Sequence, residues 1–236
     1  MQRVSDIVIR TYDHGRAEGP REIAAKVFKL CAELGKVHGK LVGWSARSPD
    51  GALTPIETAD DCEQAVRARA KSWRFGEREQ VAYGPVFEAK AMAARLSLVC
   101  GVPPQEAWTP NQTQLALGMA SGIAVREVDV LAGLLSALAK GLSAEWGHVG
   151  VDGVPTPPMP PFADGSPVVG WITYVSSAYP AAPATLPEPS VARTAPGGTL
   201  LMASPARVDA EAIERLRAAL KEAGVLLPAY ALRKKS

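Results

Sequence analysis

The chain has 236 residues, enough for one large domain or two small ones. Apolar residues make up 47% and charged residues 21%, which excludes a disordered chain and predicts a packed core. Net charge is +2, from 26 basic and 24 acidic residues, with no strong basic excess in either half, which argues against a nucleic-acid binder. Pro (20) and Gly (21) together reach about 17%, above the ~12% usual in globular proteins and below the level of low-complexity chains.

In chain order, Val4–Tyr12 reads as a strand, with Ile7 and Ile9 on one face and Asp6, Val8 and Arg10 on the other. Gly19-Pro20 opens a helix, with proline at its first position. Ile23, Val27, Leu30, Cys31 and Leu34 form its apolar stripe, and Gly35 or Gly39 ends it. Leu41–Ala46 is a short strand carrying Trp44, followed by a turn at Pro49-Asp50-Gly51. Thr58 caps a helix with Asp61 three residues on, and that helix is expected to run to Trp73. Glu88–Cys100 reads as one long strand and Gln112–Met119 as a second, joined by a loop.

The clearest helix is Val125–Leu142, where Val128, Leu131, Leu135, Leu138 and Leu142 recur at intervals of three and four. Beyond Ser143 the character changes. Ten prolines fall between Pro155 and Pro189, and charges are sparse up to Ala206. Val168–Ser176 (VVGWITYVS) is a β-branched and aromatic strand, and Gly198–Ala203 another. The prolines flanking the first of these belong to loops or sheet edges, because proline cannot donate to a ladder. Asp209 caps a last helix that Gly224 terminates. This order lacks regular βαβ alternation. It predicts an α+β fold, with helices packed on a mixed or antiparallel sheet and a Pro-rich loop region, in a single domain with a weak sub-boundary near residues 76–84.

Chemistry-bearing patterns are scarce. Cys31, Cys62 and Cys100 contain no CxxC pair, which argues against a zinc knuckle or disulfide framework and fits a reducing cytoplasm. The start of the chain lacks the apolar run of a signal peptide. Val130–Leu142, the most apolar run, contains Lys140 and is too short to span a bilayer. A cytoplasmic protein without membrane contact is expected. His14, His38 and His148 lack partners at metal-ligand spacing and are read as surface or turn residues. Gly118-Met-Ala-Ser121-Gly122 has the wrong spacing for a nucleophile elbow and reads as a strand-to-loop turn. No metal, cofactor or catalytic set is expected.

Two constellations remain. Asp50, Glu88 and Lys90 match the letters of a metal-dependent nuclease site, in which two carboxylates hold Mg²⁺ and a lysine supports the attacking water. Their bland reading is a solvated turn aspartate and a surface Glu/Lys pair. The second is acidic: Glu57, Asp60, Asp61 and Glu63 lie in a stretch free of Lys and Arg. They form either a docking patch for a basic partner or the acidic start of a helix whose basic end holds Arg67, Arg69, Lys71 and Arg74, as the helix dipole favours. Trp108, in a loop beside Pro110, is placed at a surface. The stiff, weakly charged segment Val154–Pro161, with Pro158 and Met159, is read either as a second apolar contact surface or as a loop packed over the sheet.

Several pieces carry a family likeness. Tyr12 ends the first strand, with Arg16 and Glu18 beyond it and a helix over Ala24–Leu34, then Trp44. Val99-Cys100-Gly101 precedes Asn111 and a further strand. Val169-Gly170-Trp171-Ile172-Thr173-Tyr174-Val175 is the distinctive piece, followed by Gly197-Gly198-Thr199-Leu200 and a helix ending in Leu226-Leu227-Pro228. In this order the chain resembles the immunity protein 52 family of bacterial polymorphic-toxin systems, over nearly its whole length. Asp13-His14-Gly15 departs from that family's more aromatic, glycine-rich run. The resemblance implies a cytoplasmic antitoxin of bacterial competition, as in type VI secretion, without enzymatic activity. Its partner would be a toxin, often a nuclease of restriction-endonuclease type. The alternatives are the nuclease built on Asp50, Glu88 and Lys90, or a non-catalytic scaffolding domain.

Overall fold

The structure is a computed structural model describing residues 7–13, 15–75, 78–101, 111–118, 121–123, 127–151 and 167–227. Its strands are β1 (Ile7–Asp13), β2 (Trp44–Arg47), β3 (Leu53–Pro55), β4 (Ala70–Phe75), β5 (Arg78–Tyr83), β6 (Val86–Ala89), β7 (Ala94–Val99), β8 (Asn111–Leu117), β9 (Trp146–Val151), β10 (Ile172–Ser176), β11 (Val191–Ala195) and β12 (Gly198–Met202). The helices are α1 (Pro20–Val37), α2 (Ala59–Ala68), α3 (Val128–Leu142) and α4 (Ala210–Glu222). Ten strands form one antiparallel sheet in the order β11-β12-β10-β9-β1-β8-β7-β6-β2-β3, and β4 and β5 form a separate hairpin. The chain is an α+β protein.

The sheet is organised by one transverse row of side chains. Ala46, Phe87, Leu96, Leu115, Ile9, Val149, Ile172 and Met202 are each directly opposite the next on neighbouring strands. All eight are buried, seven of them at 0% exposure. Helices cover this face: α1 packs against both α2 and α3, and α3 also packs against β1, β9 and β10. At the crossing of α3 with β9, a Cβ on Gly147 would stand 2.8 Å from Leu135 Cδ1 and 2.9 Å from the Arg10 carbonyl oxygen. Only glycine fits that approach.

The opposite face changes character along the sheet. From β6 to β1 its row is Val86, Ser97, Gln114 and Arg10, all half-buried, with Arg10 Nε donating to Gln114 Oε1 at 2.9 Å. From β9 onward the row continues as His148, Thr173 and Leu201, all buried. The 167–171 segment seals this half. Trp146 Nε1 donates to the Val168 carbonyl, and a Cβ on Gly170 would stand 2.5 Å from the Val149 carbonyl oxygen. Tyr179 packs on Trp146 with ring centres 5.3 Å apart.

Several expectations shift. The helix after Thr58 stops at Ala68 rather than Trp73, and Ala70–Phe75 turns back as a hairpin strand. The Arg69 guanidinium donates to the carbonyls of Arg47 and Ser48, and Gly84 N–H donates to the Arg69 carbonyl, so the chain is pulled off the helix axis there. The single strand expected over Glu88–Cys100 is a hairpin, β6 and β7. It turns through a 3₁₀ turn at Lys90–Met92 and a left-handed Ala93 (φ 45°). The first helix runs through Gly35 to Val37. The 168–176 strand begins only at Ile172, and the Leu41–Ala46 strand at Trp44. Five strands have no counterpart in the sequence expectations: β3 and β11 at the sheet's two edges, β9 within it, and the separate β4–β5 hairpin.

His148 is the largest correction. It is not a surface or turn residue but fully buried on β9, stacked on Tyr12 with ring centres 5.8 Å apart. Its Nδ1 has no hydrogen-bond partner among the described residues. Burial first, and the neighbouring Arg10 charge second, push its pKa down to about 3. The folded chain therefore holds His148 neutral while the unfolded chain protonates it near pH ~6.5. Stability is complete above that pH and falls as pH drops from ~6.5 toward about 3, by at most ~1.4 kcal/mol per pH unit from this group. Urea titrations of the wild type and of His148→Leu across this range are expected to give a shallower pH slope for the variant. Equal slopes would refute the assignment.

Candidate functional site

The nuclease constellation does not assemble. Glu88 lies on the polar face of β6, where Arg47 Nε and Nη2 donate to its two carboxylate oxygens at 2.8 and 2.9 Å. Arg95, across the β6–β7 ladder, adds a third contact at 3.2 Å. These bonds, the Arg47 pair foremost, hold the Glu88 carboxyl below its usual pKa. Both oxygens are thus committed to guanidinium groups. Asp50 belongs to the β2–β3 turn, where it accepts from the Ser48 hydroxyl and from Ala52 N–H at 3.4 Å. Lys90 is exposed in the 3₁₀ turn that follows β6. Among the described residues, no group of three or more His, Cys, Asp and Glu side chains is arranged to hold a metal ion.

The acidic stretch divides into structural and free members. Thr58 and Asp61 form a reciprocal capping box. Asp61 N–H donates to Thr58 Oγ1 at 3.2 Å, while Asp61 Oδ2 accepts from the N–H groups of Thr58 and Glu57 at 2.8 and 3.1 Å. These bonds hold its carboxyl below the ordinary carboxylate pKa, the Thr58 side chain contributing most. Glu63 is paired with Arg67 one turn on, at 2.6 Å. Glu57 and Asp60 are exposed and pair with no base among the described residues.

Their chain neighbours Ile56 and Asp61 line a cleft of about 190 Å³ between α2 and the β2–β3 edge of the sheet. Ala46, Pro55, Ile56, Ala65 and Ala68 give it an apolar lining, and its charged members, Arg47 and Asp61, are already held by Glu88 and by the helix cap. The cleft exists because α2 presents small residues, Ala65 and Ala68, toward a three-residue edge strand that ends in proline. Its apolar lining suits the aliphatic stem of a long side chain.

Trp108, Pro158 and Met159 lie outside the described residues, as does His14. All three cysteines are buried free thiols. Burial raises their pKa values, Cys62 to about 12, so none is a reactive thiolate. No helix among the described residues is long and apolar enough to cross a membrane.

The residues that carry the family likeness prove to be structural. Asn111 Nδ2 donates to Asp13 Oδ1, tying β8 to β1. Arg16 Nη2 reaches the Ser143 carbonyl at 3.0 Å, and Glu18 pairs with Lys26 of α1. Trp171 Nε1 donates to the Ser204 carbonyl at 2.6 Å, Thr173 exchanges hydrogen bonds with the Gly170 backbone, and the Tyr174 hydroxyl donates to the Pro196 carbonyl. Neither a protein-family model nor a curated protein matches the chain. Among solved structures it is similar to a Pseudomonas aeruginosa T6SS protein, PA0821, with 13% identity and a TM-score of 0.49 over 94% of this chain and 73% of that one. The immunity protein 52 resemblance therefore rests on the residues quoted for it.

The split among the acids has a measurable consequence. Asp61→Ala removes the carboxylate half of the cap, leaving the N–H of residue 61 on Thr58 Oγ1, and is expected to destabilise the protein by about 1 kcal/mol. Asp60→Ala is expected to stay within about 0.5 kcal/mol of wild type. Denaturant unfolding of the two variants gives the comparison.

Proposed function

We propose that this protein is an immunity protein that binds a cognate toxin and neutralises it by stoichiometric contact, without catalysis of its own. The toxin class is a secreted nuclease of restriction-endonuclease type, as the resemblance implies. The carrying observation is the pair of exposed, unpaired carboxylates Glu57 and Asp60 at the start of α2, next in sequence to the cleft-lining Ile56 and Asp61. Nuclease toxins present cationic side chains where they grip nucleic acid, and such groups complement this surface. Two free carboxylates raise the local concentration of a basic partner and orient it on approach. The near-neutral chain argues for this local contact rather than for imitation of DNA by the whole surface. The commitment of Glu88 to Arg47 and Arg95 weighs against the nuclease alternative.

A stable complex of this kind buries about 1,200–2,000 Å² in total. Co-expression with the toxin encoded beside its gene is expected to abolish toxicity, and the purified proteins to combine at about equimolar ratio. Failure to protect would end this reading. The double variant Glu57→Lys/Asp60→Lys is expected to slow association by about tenfold and to flatten its salt dependence, with a loss of stability of only about 1 kcal/mol from the α2 dipole. Unchanged kinetics would move the interface elsewhere.

A further inference from the structure

The helical layer carries a second charged recess, between α1 and α3. The helices approach closely there because α3 presents small residues. A Cβ on Gly141 would stand 3.1 Å from Leu30 Cδ1, and one on Gly133 would stand 3.0 Å from Val37 Cγ1. Ala25, Ala137 and Gly141 leave a groove of about 350 Å³ beside Leu30. Lys26, Lys29 and Glu33 of α1 and Lys140 of α3 flank it. Lys26 is tied to Glu18, and Glu33 accepts from Lys36 at 2.6 Å. Lys29 and Lys140 are exposed and pair with no acid among the described residues. The Glu33 carboxyl is held below its usual pKa, first by the Lys36 hydrogen bond and further by the fields of Lys140 and Lys29. The uncompensated charge of the groove is positive.

We propose that this groove receives an acidic segment of the toxin, its carboxylates between Lys29 and Lys140 and an apolar side chain against Ala25, Leu30 and Ala137. The inference rests on the immunity reading and extends it to a second contact of stated chemistry. A free compact anion such as phosphate fits poorly. It favours converging backbone N–H groups at a helix N-terminus. This groove instead lies along α1 and reaches the C-terminal end of α3, whose dipole repels a concentrated negative charge. An extended segment spreads its carboxylates toward the two ammonium groups and covers the apolar floor.

The groove and the free acids at the start of α2 carry opposite charge, and α1 packs against both α2 and α3. A partner matching both docks in one orientation, because the reversed orientation brings like charges together.

The test measures binding of the toxin encoded beside this gene, by association and dissociation kinetics at low and high salt. Lys29→Glu/Lys140→Glu is expected to weaken binding at least about tenfold, mainly at low salt. Lys29→Gln/Lys140→Gln is expected to act in the same direction with a smaller loss, and it serves if the reversal perturbs folding. Ala25→Trp fills the floor while keeping every charge, and is expected to speed dissociation. Circular dichroism and thermal midpoints confirm that each variant is folded. If the wild type does not bind the toxin, the immunity reading falls and the groove with it. If the wild type binds and the lysine variants bind equally well, the groove assignment alone is overturned. An effect of Ala25→Trp with silent lysine variants overturns it too, since the occupant is then not acidic.

Discussion

The transverse row from Ala46 to Met202 is the constraint on which the rest of the structure depends. Each of the eight strands from β2 to β12 across the sheet contributes one residue to it, and that residue fixes the strand's register. A slip of one position would carry a polar neighbour, such as Glu88 on β6 or Arg10 on β1, onto the helix-covered face. The row also decides where the helices go. α1 and α3 lie over its middle, and α2 reaches its β2 end. The charged recesses follow from that placement. Each forms where small residues meet a neighbouring element, at Ala65 and Ala68 of α2 and at Ala137 and Gly141 of α3.

The most distinctive letters of the sequence serve this architecture rather than a binding surface. In the run from Gly170 to Tyr174, glycine permits contact with β9, tryptophan anchors the chain after β12, threonine closes a local turn and tyrosine holds the β11–β12 hairpin. Asp13, Asn111 and Arg16 do comparable work where β1 meets α1, β8 and β9. The likeness is built on residues that hold the fold together. The docking surfaces are made of alanines, lysines and acids, which are ordinary residue types with no motif.

This explains what could be read in advance. α1, α3 and α4 were legible because apolar periodicity and caps agreed, from Gly19-Pro20 to Asp209 and Gly224. β1, β8, β10 and β12 were legible from alternation and β-branched residues. β9 was not, because glycine at 147 and 150 and a buried histidine break the pattern of a central strand. Its glycine at 147 is demanded by Leu135, a contact across a dozen residues of sequence. The β6–β7 turn was missed because Ala93 adopts a left-handed conformation without glycine or asparagine to announce it. The acidic stretch was visible as a cluster. Its division into capping and free members was not, since capping by Asp61 and pairing of Glu63 depend on side-chain placement. The α1–α3 groove had no signal at all, because Lys29 and Lys140 are far apart in sequence and meet only through helix packing.

A near-neutral chain would ordinarily argue against electrostatic recognition. The argument fails here because sign is segregated by geometry. Packed helices lie about 8–10 Å apart, so the acidic edge of α2 and the basic groove beyond α1 are separated by roughly two such spacings. Screening in physiological salt acts over ~8 Å. The two fields therefore do not cancel where a partner meets them, although their charges offset each other in the total of +2. Steering and orientation depend on the local field within a Debye length, and net charge does not report it. The helix dipole adds to the same separation. The acids that stabilise the N-terminus of α2 and the lysine at the C-terminal end of α3 are each placed where the backbone favours them. Folding electrostatics and docking electrostatics thus draw on the same residues. Only those left unpaired by the fold, Glu57, Asp60, Lys29 and Lys140, are free to act on a partner.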